Sequence, residues 1–231
     1  MSFSEEKLFF LLDPFDLYSS IRSLSQQNII SVPLLDEPYR KVLQQEAEQC
    51  IYQPDIKVIG TGDRIVQTEY SACEVFPDTS LYVQLQANLQ CLVDEAIGLF
   101  PVSPFRTPLR FNSIVLQRYE LGQLGITPHR DSLRAVNLIC IINISGQADL
   151  YHCADRQGTH SVQIDTTPGH LVLMQAPGFR RMNGAATNSL TLESPESPEP
   201  EFIEASDRPF HYVTNVRSTR YSLGLRQYID R

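Results

Sequence analysis

From Arg110 to the C-terminus the chain is written in short β-rich runs parted by turn residues, and this texture limits the fold more than any other feature. Phe111 to Tyr119, Val136 to Ile144, Gln147 to Cys153, Thr159 to Ile164, Gly169 to Gln175, His211 to Val216 and Tyr221 to Tyr228 each read as strands. Val136-Asn-Leu-Ile-Cys-Ile-Ile-Asn-Ile144 is almost continuously apolar. Short strands at this spacing indicate a sandwich or barrel, with helices from the N-terminal half packed on its outside.

That half has a different texture. Residues 1–50 read as helical with turns: Ser2-x-x-Glu5 is a candidate capping box, and Glu37 to Cys50 is a polar, helix-favouring run behind Pro38. Residues 51–76 look irregular, punctuated by Gly60 and Gly62. Ser80 to Phe100 carries Leu85, Leu89, Leu92 and Val93 at helical spacing. The expected organisation is one compact unit, with residues 1–109 as a helical and irregular support and 110–231 as the β core. Thr187 to Pro209 interrupts that core with a Pro- and Glu-rich stretch that has little to bury. It reads as a surface loop, either a tolerated insertion or a lid.

Composition removes several classes of function. Leu8-Phe-Phe-Leu-Leu12 is too short and too acidic in its flank for a signal peptide or a membrane span. Five cysteines without a C-x-x-C pair argue against a disulfide framework and a structural zinc site, and the expected compartment is cytoplasmic. A net charge of −8 disfavours nucleic acid as partner without excluding it, because Arg106, Arg110, Arg118, Arg130 and Arg134 bracket the stretch of greatest chemical interest.

That stretch is Tyr119-Glu-Leu-Gly122-Gln-Leu-Gly-Ile-Thr-Pro-His129-Arg-Asp131. In extended chain, His-x-Asp puts an imidazole and a carboxylate on one face. The pair is two-thirds of the 2-His-1-carboxylate triad that holds non-haem Fe(II) and leaves coordination positions open. Alone it is a weak signal, since a loop histidine near a solvated carboxylate looks the same. A second constellation follows: His211 opens a strand, and Arg220-x-Ser222 comes nine residues later.

Together, Tyr119-x-x-Gly122, His129-x-Asp131, the Gly169-His-Leu-Val-Leu-Met174 run, His211 and Arg220-x-Ser222 resemble the signature of the Fe(II)- and 2-oxoglutarate-dependent dioxygenase superfamily. The resemblance covers residues 110–231. It implies a mainly β fold with packed helices, built on a double-stranded β-helix (jelly-roll) core. It also implies that His129, Asp131 and His211 bind Fe(II) and that O₂ and 2-oxoglutarate are co-substrates. Arg220 would pair with the distal carboxylate of 2-oxoglutarate, helped by Ser222 and within reach of Tyr119; a planar guanidinium matches a carboxylate through two parallel hydrogen bonds. Arg217 is the fallback for Arg220, and Asn183 competes with His211 for the place of the third ligand. Gln117 and Arg226 are weaker co-substrate candidates, the latter because Arg-x-Ser-x-x-x-Arg resembles AlkB-type nucleic-acid dealkylases.

The implied activity is oxidoreductase chemistry on a small molecule or amino-acid-like substrate, with release of succinate and CO₂. Nucleic-acid dealkylation comes second and protein side-chain hydroxylation third. From a different class, a non-catalytic β-barrel binding module with a degraded metal site would share the architecture.

Overall fold

Two antiparallel sheets face each other in a computed structural model that describes residues 10–62, 65–181 and 201–229. The larger sheet orders its strands β1 (Ile29–Pro33), β11 (His170–Gln175), β8 (Ala135–Ser145), β13 (Arg220–Tyr228), β6 (Ser113–Tyr119), β5 (Ser71–Cys73) and β2 (Gln53–Pro54). The smaller sheet runs β10 (Val162–Ile164), β9 (Asp149–Cys153), β12 (Phe210–Thr214), β7 (Gly125–His129), β4 (Val66–Glu69) and β3 (Lys57–Ile59). From β6 onward the chain crosses between sheets at almost every connection, which is the winding of a double-stranded β-helix.

Three helices cover the outer face of the larger sheet. α1 (Pro14–Leu24) starts where the Asp13 side chain accepts the Asp16 amide at 2.8 Å, with proline in the first turn, where its missing N–H costs nothing. α2 (Glu37–Ala47) repeats the device with Asp36 and Pro38. α3 (Leu81–Gly98) is capped by Ser80 and buries Leu85, Leu89, Leu92, Val93 and Ala96. These faces pack on Leu138, Cys140, Ile142, Ile144, Leu171, Leu173, Leu223 and Leu225. Fully burying a leucine is worth about 1.5–3 kcal/mol, so this layer fixes the larger sheet as a rigid back wall.

The alternate residues of the same strands face the smaller sheet. There Ile139, Val172, Met174 and Tyr119 meet Ile126, Leu150 and Val213 in a second apolar cluster. β8 is buried on both faces, which is why its sequence is apolar without alternation. Polar side chains on its inner face are therefore exceptional, and Asn143 is one of them.

In the N-terminal half, residues read as helical or irregular also supply β1 to β5. These strands are two to five residues long, and tertiary partners decide their state more than their own pattern does. Residues 187–200 of the Pro- and Glu-rich stretch and the Ser2-x-x-Glu5 box lie outside the described residues. Among the described residues, no helix is long and apolar enough to cross a membrane.

Candidate metal centre and co-substrate site

β7 and β12 lie side by side with His129 opposite His211, but the pairing slips before the next partners, Val213 and Ile126. One step along β12 passes a single residue, Tyr212, while β7 passes two, Thr127 and Pro128. This is a β-bulge, and it reverses the pleat. Ile126 faces the inner core, so strict alternation would turn His129, three residues on, to the outside; the extra residue turns it in. Pro128 suits a bulge because it has no N–H to leave unpaired. Gly125 opens β7 at φ +87°, where a Cβ would overlap the Val213 carbonyl, so only glycine allows the two strands this approach.

Asp131 follows two residues later on the same side. Its Oδ1 lies 3.9 Å from His129 Nε2 and 3.8 Å from His211 Nε2, and the two imidazoles are 4.3 Å apart between ring centres. One ligand atom from each of the three residues falls within 4.8 Å of the others. Two ligands each about 2.1 Å from a common cation can be about 4 Å apart, so both separations to Asp131 are within reach of one ion.

The protonation states suit a metal as well. His129 Nδ1 is 2.9 Å from the Thr127 carbonyl, which can only accept; the ring proton therefore sits on Nδ1 and the Nε2 lone pair is free. His211 makes the same contact with Pro209, longer at 3.5 Å. Burial pushes the pKa of both imidazoles down, outweighing the pull of Asp131, so both are neutral near pH 7. Burial also opposes ionisation of Asp131, but the Arg226 guanidinium and the flanking imidazoles overcome it and hold the carboxyl well below its usual range. Arg226 Nε donates to Asp131 Oδ2 at 2.8 Å, leaving Oδ1 to face the histidines. Two neutral nitrogens and one carboxylate oxygen form the donor set of an open ferrous site.

Behind this centre, β13 lies against β6 with Arg220 opposite Tyr119 and Ser222 opposite Gln117. Arg220 is 2% exposed, and its Nε donates to Asn143 Oδ1 at 3.0 Å. Among the described residues no carboxylate pairs with this buried cation. Its guanidinium carbon stands 5.3 Å from the centre of the Tyr119 ring, whose hydroxyl donates to Gln117 Oε1 at 3.1 Å. Burial pushes the Tyr119 phenol up to about 12, against the pull of Arg220 and Arg226, so it stays a neutral donor. Ser222 Oγ is buried without a hydrogen-bond partner. A buried guanidinium with no carboxylate among the described residues, next to a buried hydroxyl with no partner among them, fits the carboxylate end of an anionic co-substrate.

The structure thus brings His129, Asp131 and His211 together, and groups Arg220, Ser222, Tyr119 and Gln117 behind them. Arg226 joins the first group through Asp131. Arg217 is on the surface with Asp149 at 2.9 Å, and Asn183 lies outside the described residues. Asn143, which orients Arg220, was not among the sequence candidates, although a polar residue in so apolar a strand was a usable signal.

By sequence, the chain matches no protein-family model and no curated protein. Its fold matches a prolyl hydroxylase in complex with a hypoxia inducible factor oxygen degradation domain peptide fragment from Trichoplax adhaerens, with a TM-score of 0.62 at 11% identity over 93% of this chain and 90% of that one. It also matches a Pseudomonas putida prolyl-4-hydroxylase, with a TM-score of 0.56 at 13% identity over 92% of this chain and 100% of that one. A third match is an oxidoreductase of the 2OG-Fe(II) oxygenase family from Burkholderia pseudomallei, with a TM-score of 0.54 at 9% identity over 90% and 89% of the two chains. The jelly-roll expected from the resemblance is the fold found.

Proposed function

We propose that this chain is an Fe(II)- and 2-oxoglutarate-dependent oxygenase that hydroxylates an amino-acid-like group, most simply on a small molecule. The convergence of His129, Asp131 and His211 in front of a buried, carboxylate-free Arg220 carries this reading. His129 and His211 would offer Nε2 and Asp131 its Oδ1 to the iron. Arg220 and Ser222 would hold the distal carboxylate of 2-oxoglutarate, with the neutral Tyr119 hydroxyl turning from Gln117 to donate to it. When bound, ferrous iron and 2-oxoglutarate supply O₂ activation coupled to oxidative decarboxylation, so that one oxygen atom enters the substrate and the other leaves in succinate. The protein's own task is placement and dryness: Ile139, Val172 and Met174 wall the interior. A reducing cytoplasmic setting suits five free cysteines and a ferrous centre.

Protein side-chain hydroxylation gains support from the likeness to prolyl hydroxylase structures, one of them with a peptide. The dealkylase reading drew on Arg226 and on the arginines near the site; the Arg226 guanidinium is engaged with Asp131.

Anaerobic titration of the purified protein with Fe(II) and 2-oxoglutarate tests the assignment. A metal-to-ligand charge-transfer band is expected for the natural sequence and its absence for His129→Ala. A folded natural protein without the band would instead be the non-catalytic module. Succinate formation by His129→Ala at the natural rate would refute the ligand assignment.

A further inference from the structure

The bulge that turns His129 inward turns its neighbour Arg130 outward, and on β12 the alternation likewise turns Phe210 away from His211. Arg130 and Phe210 meet on the outer face: the guanidinium carbon is 4.0 Å from the centre of the phenylalanine ring. Arg156, from the turn between β9 and β10, approaches the same ring at 5.6 Å. His129 and Cys153 end their strands and Phe210 begins its own, so these residues gather at one rim of the smaller sheet, beside the metal ligands.

Two cations share one aromatic platform here, and neither is neutralised among the described residues. Among the described residues, no carboxylate pairs with Arg130 or Arg156. The acid next to Arg156, Asp155, uses its oxygens on the amides of Gln157 and Thr159 and the Thr159 hydroxyl, and the acid next to Arg130, Asp131, is paired with Arg226. Arg130 Nε and Arg156 Nη1 are buried donors without an acceptor. Elsewhere in the molecule arginines are matched: Arg106 with Glu204 at 2.6 Å, and Arg181 with Glu201 at 2.6 Å and Asp207 at 2.7 Å. In a chain of net charge −8, two unmatched guanidiniums held against one ring are a local reversal of sign.

Building on the oxygenase reading, we infer that Arg130 and Arg156, held on Phe210, bind a carboxylate of the substrate, so that the group presented to the metal centre belongs to an acidic molecule. Contact with the Phe210 ring restrains both guanidiniums at the rim, and a guanidinium edge matches a carboxylate. The site is separate from Arg220, which is enclosed between the sheets. The carboxylate has two sources with the same chemistry, a free acidic amino acid and an acidic residue in a peptide.

The test uses the full chain with Mn(II) and 2-oxoglutarate bound, so that the interior anion position is filled. A fluorescein-labelled tetraglutamate peptide is followed by anisotropy, with tetralysine as the control. Tetraglutamate is expected to bind, tetralysine is not, and Arg130→Gln combined with Arg156→Gln should weaken binding at least tenfold. Arg110→Gln, which removes a surface charge paired with Asp94, should not weaken it. Competition by N-acetylglutamate assigns the site to a small acid; binding that resists such competition assigns it to an acidic peptide. Equal binding by the natural and double-variant proteins, or no binding of either acid, overturns the proposal. The Fe(II)–2-oxoglutarate band, read on the same proteins, reports separately on the oxygenase reading.

Discussion

Replacing Arg226 with methionine leaves the Asp131 carboxylate in place and removes its closest cation. The pair is 2.8 Å apart, with the arginine side chain 15% exposed and the aspartate 11%. Taking one partner from a buried ion pair strands the other, which costs about 3–5 kcal/mol. For a domain of this size, about 2–4 °C of melting temperature accompanies each kcal/mol, so metal-free Arg226→Met should melt roughly 6–20 °C lower at pH 7. The loss should depend on pH in a definite direction. The native pKa of Asp131 is depressed, so its ionised form adds stability that is present above about pH 4, the unfolded value, and disappears as pH falls toward the native one. Without Arg226 that depression shrinks, and the gap between the two proteins should narrow as the solution is acidified. Thermal or urea unfolding of both proteins without metal, at pH 7 and at about pH 2.5, well below the unfolded value, measures this. A difference under about 1 kcal/mol at pH 7 would show that Arg226 is not what permits a buried carboxylate here.

Two further perturbations probe the same interior. On the proposed assignment, Arg220→Gln would remove a charge-assisted bond to the co-substrate carboxylate, worth about 2–5 kcal/mol, and should raise the 2-oxoglutarate concentration for half-saturation by roughly 30-fold or more; an unchanged half-saturation in the charge-transfer titration would move the carboxylate site elsewhere. Gly224→Ala would place a Cβ 2.5 Å from Arg226 Nη1, so the far end of the guanidinium must move and the geometry of its bond to Asp131 is disturbed. A cost of about 1–3 kcal/mol is expected, and it should nearly vanish in an Arg226→Met background, which a double-mutant unfolding cycle can read.

What was legible in the sequence was whatever carries its own local signal. The long strands β8 and β13 announce themselves by apolar runs, α3 by its heptad-like leucines, and His211 and Arg220 by their spacing on strands. β7 was harder to see, because Gly125-Ile-Thr-Pro-His129 holds both a glycine and a proline and reads as a turn. Its strand state comes from pairing with β4 and β12, information that resides in other parts of the chain. The same holds for β1, which is a strand because β11 lies beside it. The partner of Arg226 was illegible for a related reason: the residues of that pair are 95 positions apart, and only the sheet-to-sheet closure brings them into contact.

The doubled step at Thr127 and Pro128 means that the centre is written partly in arithmetic. Pairing this step without the extra residue would preserve every ligand in the text of the chain, yet return the strand to even alternation and aim the ring of His129, three residues after Ile126, at solvent. A scan for the letters alone would score such a chain as intact. Homologues and designed versions of this barrel therefore need their pairing register established between Ile126 and His129 before their histidines are trusted.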